Sequence, residues 1–153
     1  MDFAHRRKLG YLDTLKSRGI APEPLLMSAG EMTEEHGFNT TARYLSLPNP
    51  PTAILASSMI SALGVRRAIE SAGLEMGRDV SVITHDDVLS YLRNGGDVPI
   101  FTATRSSVRD AGRKVAAMLL DRIAQSDAPD QQLLLEAELM VGQSTGPAPT
   151  TAP

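Results

Sequence analysis

The sequence predicts an α/β fold, a doubly wound and mostly parallel sheet with helices on both faces. Three observations carry that prediction. Short apolar runs of strand length alternate with longer segments whose apolar residues recur at helical spacing. Prolines break the chain between these segments, at Pro22, Pro24, Pro48, Pro50, Pro51 and Pro99. The length, 153 residues, suits one domain with a real core and is cramped for two. Strands that alternate with helices are joined by crossovers, and crossovers make neighbouring strands parallel.

The first element is a helix from about Phe3 to Arg18, with Leu9, Leu12 and Leu15 on one face and Gly19 as its stop. Leu25-Leu26-Met27 reads as a short buried strand. A second helix starts after Thr33, whose hydroxyl can cap its first amides, and carries Phe38, Ala42 and Leu45 inward. Pro51 to Ser57 reads as a second buried strand. A third helix follows from about Ile60 to Ala72, burying Ile60, Leu63 and Ile69 and closing at Gly73. Asp79 to Thr84 is the next strand, ending in the polar group His85-Asp86-Asp87.

Residues 88–99 form a turn-rich loop before an extended segment, Ile100 to Thr104. Ser106 or Ser107 caps the longest helix, which places Val108, Ala111, Val115, Met118, Leu119 and Ile123 on one stripe that needs a partner. Leu133 to Val141 alternates apolar with charged residues, the period of a half-exposed strand. From Ser144 the chain is Pro/Thr-rich and reads as disordered, with residues 148–153 a tail beyond the domain.

Composition narrows the function. With 42% apolar and 22% charged residues the chain is an ordinary globular one; its net charge of -3 argues against autonomous binding to phosphate backbones, and the run His5-Arg6-Arg7-Lys8 reads as a solvated helix face from which Arg7 can point at a cleft. Cysteine is absent, which removes thiol catalysis and thiolate metal sites. The opening MDFAHRRKLG places charges where a secretory signal needs an apolar run, so a cytoplasmic location is expected.

In parallel sheets ligands gather at the carboxyl ends of strands, here Ser57-Ser58-Met59 and His85-Asp86-Asp87. An ionised carboxylate only accepts hydrogen bonds, so Asp86 or Asp87 suits a ligand rich in hydroxyls; either could equally cap a turn. His85 alone raises acid–base or metal chemistry. Yet His5, His36 and His85 have neither the HxH nor the HExxH spacing that puts two imidazoles on one metal. No GxGxxG, GxxxxGK[ST] or GxSxG motif is present, so no phosphate cradle or nucleophile elbow supports an enzyme. No cofactor and no metal are expected.

Several motifs in order resemble the sensor domain of LacI/GalR transcription regulators. Pro51-Thr-Ala-Ile-Leu-Ala56 is similar to that family's PTAxxA, Ala62-Leu63-Gly64 to its MALG, and Asp79 to Asp87 to its DVSVVGFDD. Phe101 to Arg105 stands where the family tends to have LTTVR, and Ser144-Thr-Gly-Pro147 is similar to its ending. The resemblance covers roughly Arg7 to Pro147 and implies a lobe similar to periplasmic sugar-binding proteins, with residues 106–125 belonging to the other lobe. It also implies a cytoplasmic homodimer within a repressor, sensing a small polar, sugar-like effector. Nothing in the chain resembles the family's helix-turn-helix, so this part is not expected to bind nucleic acid itself.

Carried over by position, Asp86 matches a carboxylate that accepts from ligand hydroxyls, and Arg7 matches a ligand-contacting arginine. Ser58 falls at the Asn of the family's Asn-Asp pair, Ser106 at a polar position near the lobe crossover, and Met32 near a ring-stacking position. Two places depart: Ser58-Met59 replaces Asn-Asp, and Thr84-His85 replaces Gly followed by an aromatic. The family order also implies a truncated lobe with a gap in its sheet, an open strand edge and exposed apolar surface, and hence self-association. A free-standing periplasmic-type solute-binding module and, less favoured, an α/β enzyme using Asp86 and His85 are the alternatives.

Overall fold

A computed structural model describes residues 2–88, 94–125, 127 and 129–149. Its elements run α1 (Asp2–Ser17), α2 (Glu34–Leu45), β1 (Ala53–Leu55), α3 (Met59–Ser71), β2 (Ser81–Asp86), β3 (Thr102–Arg105), α4 (Val108–Ala124) and β4 (Glu138–Met140). The strands form one sheet in the order β1-β2-β3-β4. β1, β2 and β3 run parallel, and β4 lies antiparallel against β3. A mostly parallel α/β sheet is thus present as the alternation of elements predicts.

The core forms where α3 covers β2. Val82, Thr84 and Asp86 of β2 are buried, whereas Ser81, Ile83 and His85 alternate onto the half-open face. Ala56, Met59, Ala62, Val65 and Ile69 pack against Val80, Val82 and Phe101. Caps hold the helix ends where the sequence places them: Thr33 accepts from the His36 amide, and Gly73 takes φ +74 after α3. Of the two candidate caps for α4 it is Ser107 that accepts, from the Asp110 amide.

Glycines set the distance between α2 and α3. A Cβ on Gly37 would strike the Ser61 carbonyl oxygen, and one on Gly64 would strike the Glu34 carbonyl oxygen. The two backbones therefore touch, and Arg67 of α3 ties the contact by pairing with Glu34 at 2.7 Å and stacking 4.6 Å over the Phe38 ring.

Several elements differ from the expectation. Leu25 to Met27 is no strand: Pro24–Leu26 is a single 3-10 turn, started by Glu23 accepting from the Leu25 amide. Its leucines are exposed, and no described strand lies beside it to satisfy an extended backbone. β1 is shorter than expected and sits at the sheet edge, which leaves Leu55 58% exposed instead of buried. β2 runs two residues later than expected because pairing with β3 continues to Asp86 opposite Arg105. β4 keeps only three residues of the expected 133–141, and Leu133 to Leu135 stay exposed.

The inward faces also shift. α2 buries Gly37, Thr41 and Tyr44, with Phe38 and Leu45 half-buried and Ala42 exposed, since close approach at Gly37 turns that face toward α3. Ile60 and Leu9 face solvent as well. α4 has no buried residue, in line with an apolar stripe that lacks a partner among the described residues.

The largest correction concerns Ser144, expected in a disordered tail and in fact fully buried. Its hydroxyl donates to the Val82 carbonyl while accepting from the Thr102 amide at 2.8 Å. Its own carbonyl accepts from the Val82 amide at 2.7 Å. Ser144 thus fills the wedge between β2 and β3 at the end opposite His85. Part of the loop expected over 88–99, and the tail from 150, lie outside the described residues.

Candidate functional site

Parallel pairing brings the carboxyl ends of β1, β2 and β3 to one edge of the sheet, and the polar residues cluster there. Asp86 ends β2 and is only 8% exposed. Its Oδ1 accepts from the Val88 amide at 2.9 Å, an Asx turn that leaves the other carboxylate oxygen for a different donor. Both readings of this residue, turn former and ligand acceptor, are compatible with one carboxylate. Val88 pays for the turn with φ +60, a left-handed conformation that a β-branched side chain enters only under strain.

Arg7 reaches the same edge from α1. Its guanidinium donates to the Ser57 carbonyl at 2.7 Å and lies 5.0 Å from the Phe3 ring centroid. Burial pushes its pKa below the ordinary arginine value, with the negative charge of Asp87 acting in the opposite direction. The adjacent Ser58 caps α3, its hydroxyl accepting from the Ser61 amide at 3.2 Å and donating to the Ser61 hydroxyl at 3.1 Å.

Ser106 follows β3. Its amide donates to the Asp86 carbonyl at 3.1 Å, and its hydroxyl lies 3.2 Å from Nε2 of His85. Nδ1 of the same ring lies 3.0 Å from the Thr104 hydroxyl. Burial and then the positive charge of Arg7 hold the His85 pKa below the usual imidazole value, outweighing Asp87 and Asp86. The shift favours the uncharged ring.

Four of the five residues singled out in the sequence, Arg7, Ser58, Asp86 and Ser106, thus occupy this edge. Of the four only Asp86 and Ser106 share a hydrogen bond, and Met32 is half-buried just ahead of α2. Beside Met32 lies a shallow, open depression lined by Glu31, Thr33, Glu35, His36 and Asn39. It is too open to enclose a small molecule. Thr104 and the Ser57 carbonyl escaped the sequence reading: Thr104 meets His85 only through strand register, and a backbone oxygen leaves no sequence signal. Among the described residues no group of His, Asp and Glu could hold a metal ion, and no helix is long and apolar enough to cross a membrane.

Comparison with known proteins bears on the fold and the family. Residues 2–145 match the periplasmic binding protein-like domain family. The HTH-type transcriptional regulator AglR of Rhizobium meliloti is 45% identical over 155 aligned positions, gaps included, which cover all of this chain and 43% of AglR. The chain accordingly spans less than half the length of that relative. A regulatory protein of the LacI family from Chloroflexus aggregans superposes with a TM-score of 0.75 at 31% identity, covering 92% of this chain and 50% of that one. The complex of the regulator CelR with cellobiose gives 0.76 at 29% identity, covering 90% of this chain and 41% of that one. The chain belongs to the periplasmic binding protein-like domain family, and the relatives it resembles over part of their length are transcription regulators.

Proposed function

We propose that this chain is the effector-sensing and dimerising part of a cytoplasmic transcription regulator and takes a small polar, sugar-like ligand at the strand-end cluster. The observation that carries the reading is the convergence of Arg7, Asp86 and Ser106 at the carboxyl ends of parallel strands. A half-buried fork of donors beside a carboxylate and a hydroxyl can match a polyol, whose hydroxyls both donate and accept. The cellobiose held by CelR supports a saccharide as the ligand class. Ser58 is a lining residue, and Met32 is a contact from the rim. The chemistry assigned to it is binding alone: the Ser106 hydroxyl lies 3.2 Å from His85, and the His85 and Ser106 pair is read as part of the binding surface. Nucleic acid is not a partner of this part of the regulator.

Titration calorimetry with neutral mono- and disaccharides, cellobiose included, tests the reading against wild type, Asp86→Ala and Asp86→Asn. Asparagine keeps an oxygen for the Val88 amide while losing the charge, which separates a ligand role from a turn role. Saccharide binding weakened about tenfold or more in both variants is the expected result, the size of one charge-assisted hydrogen bond. Binding by no saccharide, or undiminished binding by Asp86→Asn, sinks it. Turnover of any bound sugar contradicts the non-enzymatic assignment.

A further inference from the structure

Both ring nitrogens of His85, in the strand-end cluster, lie within hydrogen-bond reach of neighbouring hydroxyls. Nδ1 lies 3.0 Å from Thr104 and Nε2 lies 3.2 Å from Ser106. Those hydroxyls belong to β3 and to the crossover that follows it, whereas the ring belongs to β2. Backbone bonds join the same two segments: the Ser106 amide to the Asp86 carbonyl at 3.1 Å, and the Val108 amide to the Asp87 carbonyl at 3.4 Å. α4 begins here and has no buried residue to hold it elsewhere. Its placement relative to the sheet consequently depends on this short junction.

We propose that His85 is a positioning residue of the ligand site: as a neutral ring bridging the Thr104 and Ser106 hydroxyls, it holds Ser106 and the start of α4 against the end of β2. The proposal rests on the reading of that edge as the effector site. A neutral imidazole has one N–H and one lone pair, so it donates to one hydroxyl and accepts from the other. A charged ring donates at both nitrogens, so the hydroxyl that had been donating into it must swing its O–H elsewhere and accept instead. Protonation also sets a second cation near Arg7, which faces the ring from α1. Asp86 and Asp87 at the end of β2, and Arg105 opposite Asp86 on β3, complete the charged surroundings. Burial and Arg7 outweigh the two carboxylates, so the neutral bridge is the resting state and acid loosens it.

Nuclear magnetic resonance of the whole chain without ligand tests this between about pH 5 and pH 8. The ring nitrogens should titrate below the usual imidazole value of about 6.5, and the amide shifts of Ser106 and Val108 should follow the same midpoint. At a fixed pH, His85→Ala should speed hydrogen exchange at the Ser106 amide about fivefold or more, the worth of one hydrogen bond. His85→Gln keeps a donor and an acceptor and should bring that rate back to within about twofold of wild type. A ring that titrates at or above the usual value while both amides stay indifferent overturns the proposal. So does equal exchange in the alanine and glutamine variants. The wild-type titration needs no substitution, so an unfolded His85→Ala leaves the proposal open to refutation. Because no ligand takes part, failure here is distinguishable from failure of the saccharide titrations, which would strike the site reading itself.

Discussion

At the scale of single residues, position 84 shows how a local departure from a family pattern becomes a physical cost. Thr84 stands where the resembling family has glycine, and its side chain points into the face of β2 covered by α3. It is 1% exposed, and its hydroxyl has no hydrogen-bond partner among the described residues. A buried hydroxyl without a partner costs about 1–3 kcal/mol, whereas a methyl of the same shape carries no such penalty. Thr84→Val should therefore raise stability by about 1 kcal/mol, or about 2–4 °C in melting temperature for a chain of this size. A melting temperature that falls on this substitution would mean that the hydroxyl has a partner in solution. What the sequence discloses at this scale is uneven. Asp86 is visible because a carboxylate at a strand end is chemically conspicuous. Thr104 is not, since its role arises only when register sets it opposite His85. Ser144 is hidden more deeply: Pro/Thr-rich surroundings signal disorder, yet one hydroxyl there closes the gap between two strands.

At the scale of elements, helices were legible where periodicity and caps agree, and strands were legible only where a partner strand exists. α3 begins one residue before its expected start, and Thr33 and Gly73 act as its neighbour's cap and its own stop. Leu25-Leu26-Met27 has strand-like composition, but a strand satisfies its backbone through a neighbour, and the described sheet offers none there. Which helix faces turn inward was partly misjudged for a related reason. The α2–α3 contact is set by Gly37 and Gly64, residues that a search for apolar periodicity passes over. In an exposed helix alanine would be favoured over glycine by about 1 kcal/mol. At Gly64 the order reverses, because an added Cβ would strike the Glu34 carbonyl oxygen and lie 2.7 Å from the Phe38 amide nitrogen. Both obstacles are backbone and cannot rotate away. Gly64→Ala should cost about 1–3 kcal/mol in chemical denaturation, with the Arg67–Glu34 pair weakened as the helices part. A stability equal to wild type would show that α2 and α3 stand farther apart in solution.

At the scale of the whole molecule, the fold has a well-formed centre and incompletely covered borders. α3, β2 and Phe101 make an apolar core, whereas among the described residues β1 and β4 end the sheet without a further strand. Along α4, Val115, Leu119, Leu120 and Ile123 are exposed, the last by 71%, and Leu134 reaches 91%. Scattered exposed leucines are ordinary, but a stripe on one helix together with two sheet edges that no described strand covers favours association in water. The chain by itself is therefore expected to form dimers or larger species at micromolar concentration, measurable by size-exclusion chromatography with light scattering. Two origins are separable by substitution. If the α4 stripe drives association, Leu119→Glu with Ile123→Glu should yield monomers while leaving the melting transition nearly unchanged, since neither residue is buried. If the β1 edge drives it, a charge at Leu55, which is exposed on that edge, should have the larger effect. A wild-type chain that remains monomeric at those concentrations would refute both, and would mean that long side chains such as Arg113 and Arg122 screen the stripe well enough for α4 to stand in water alone.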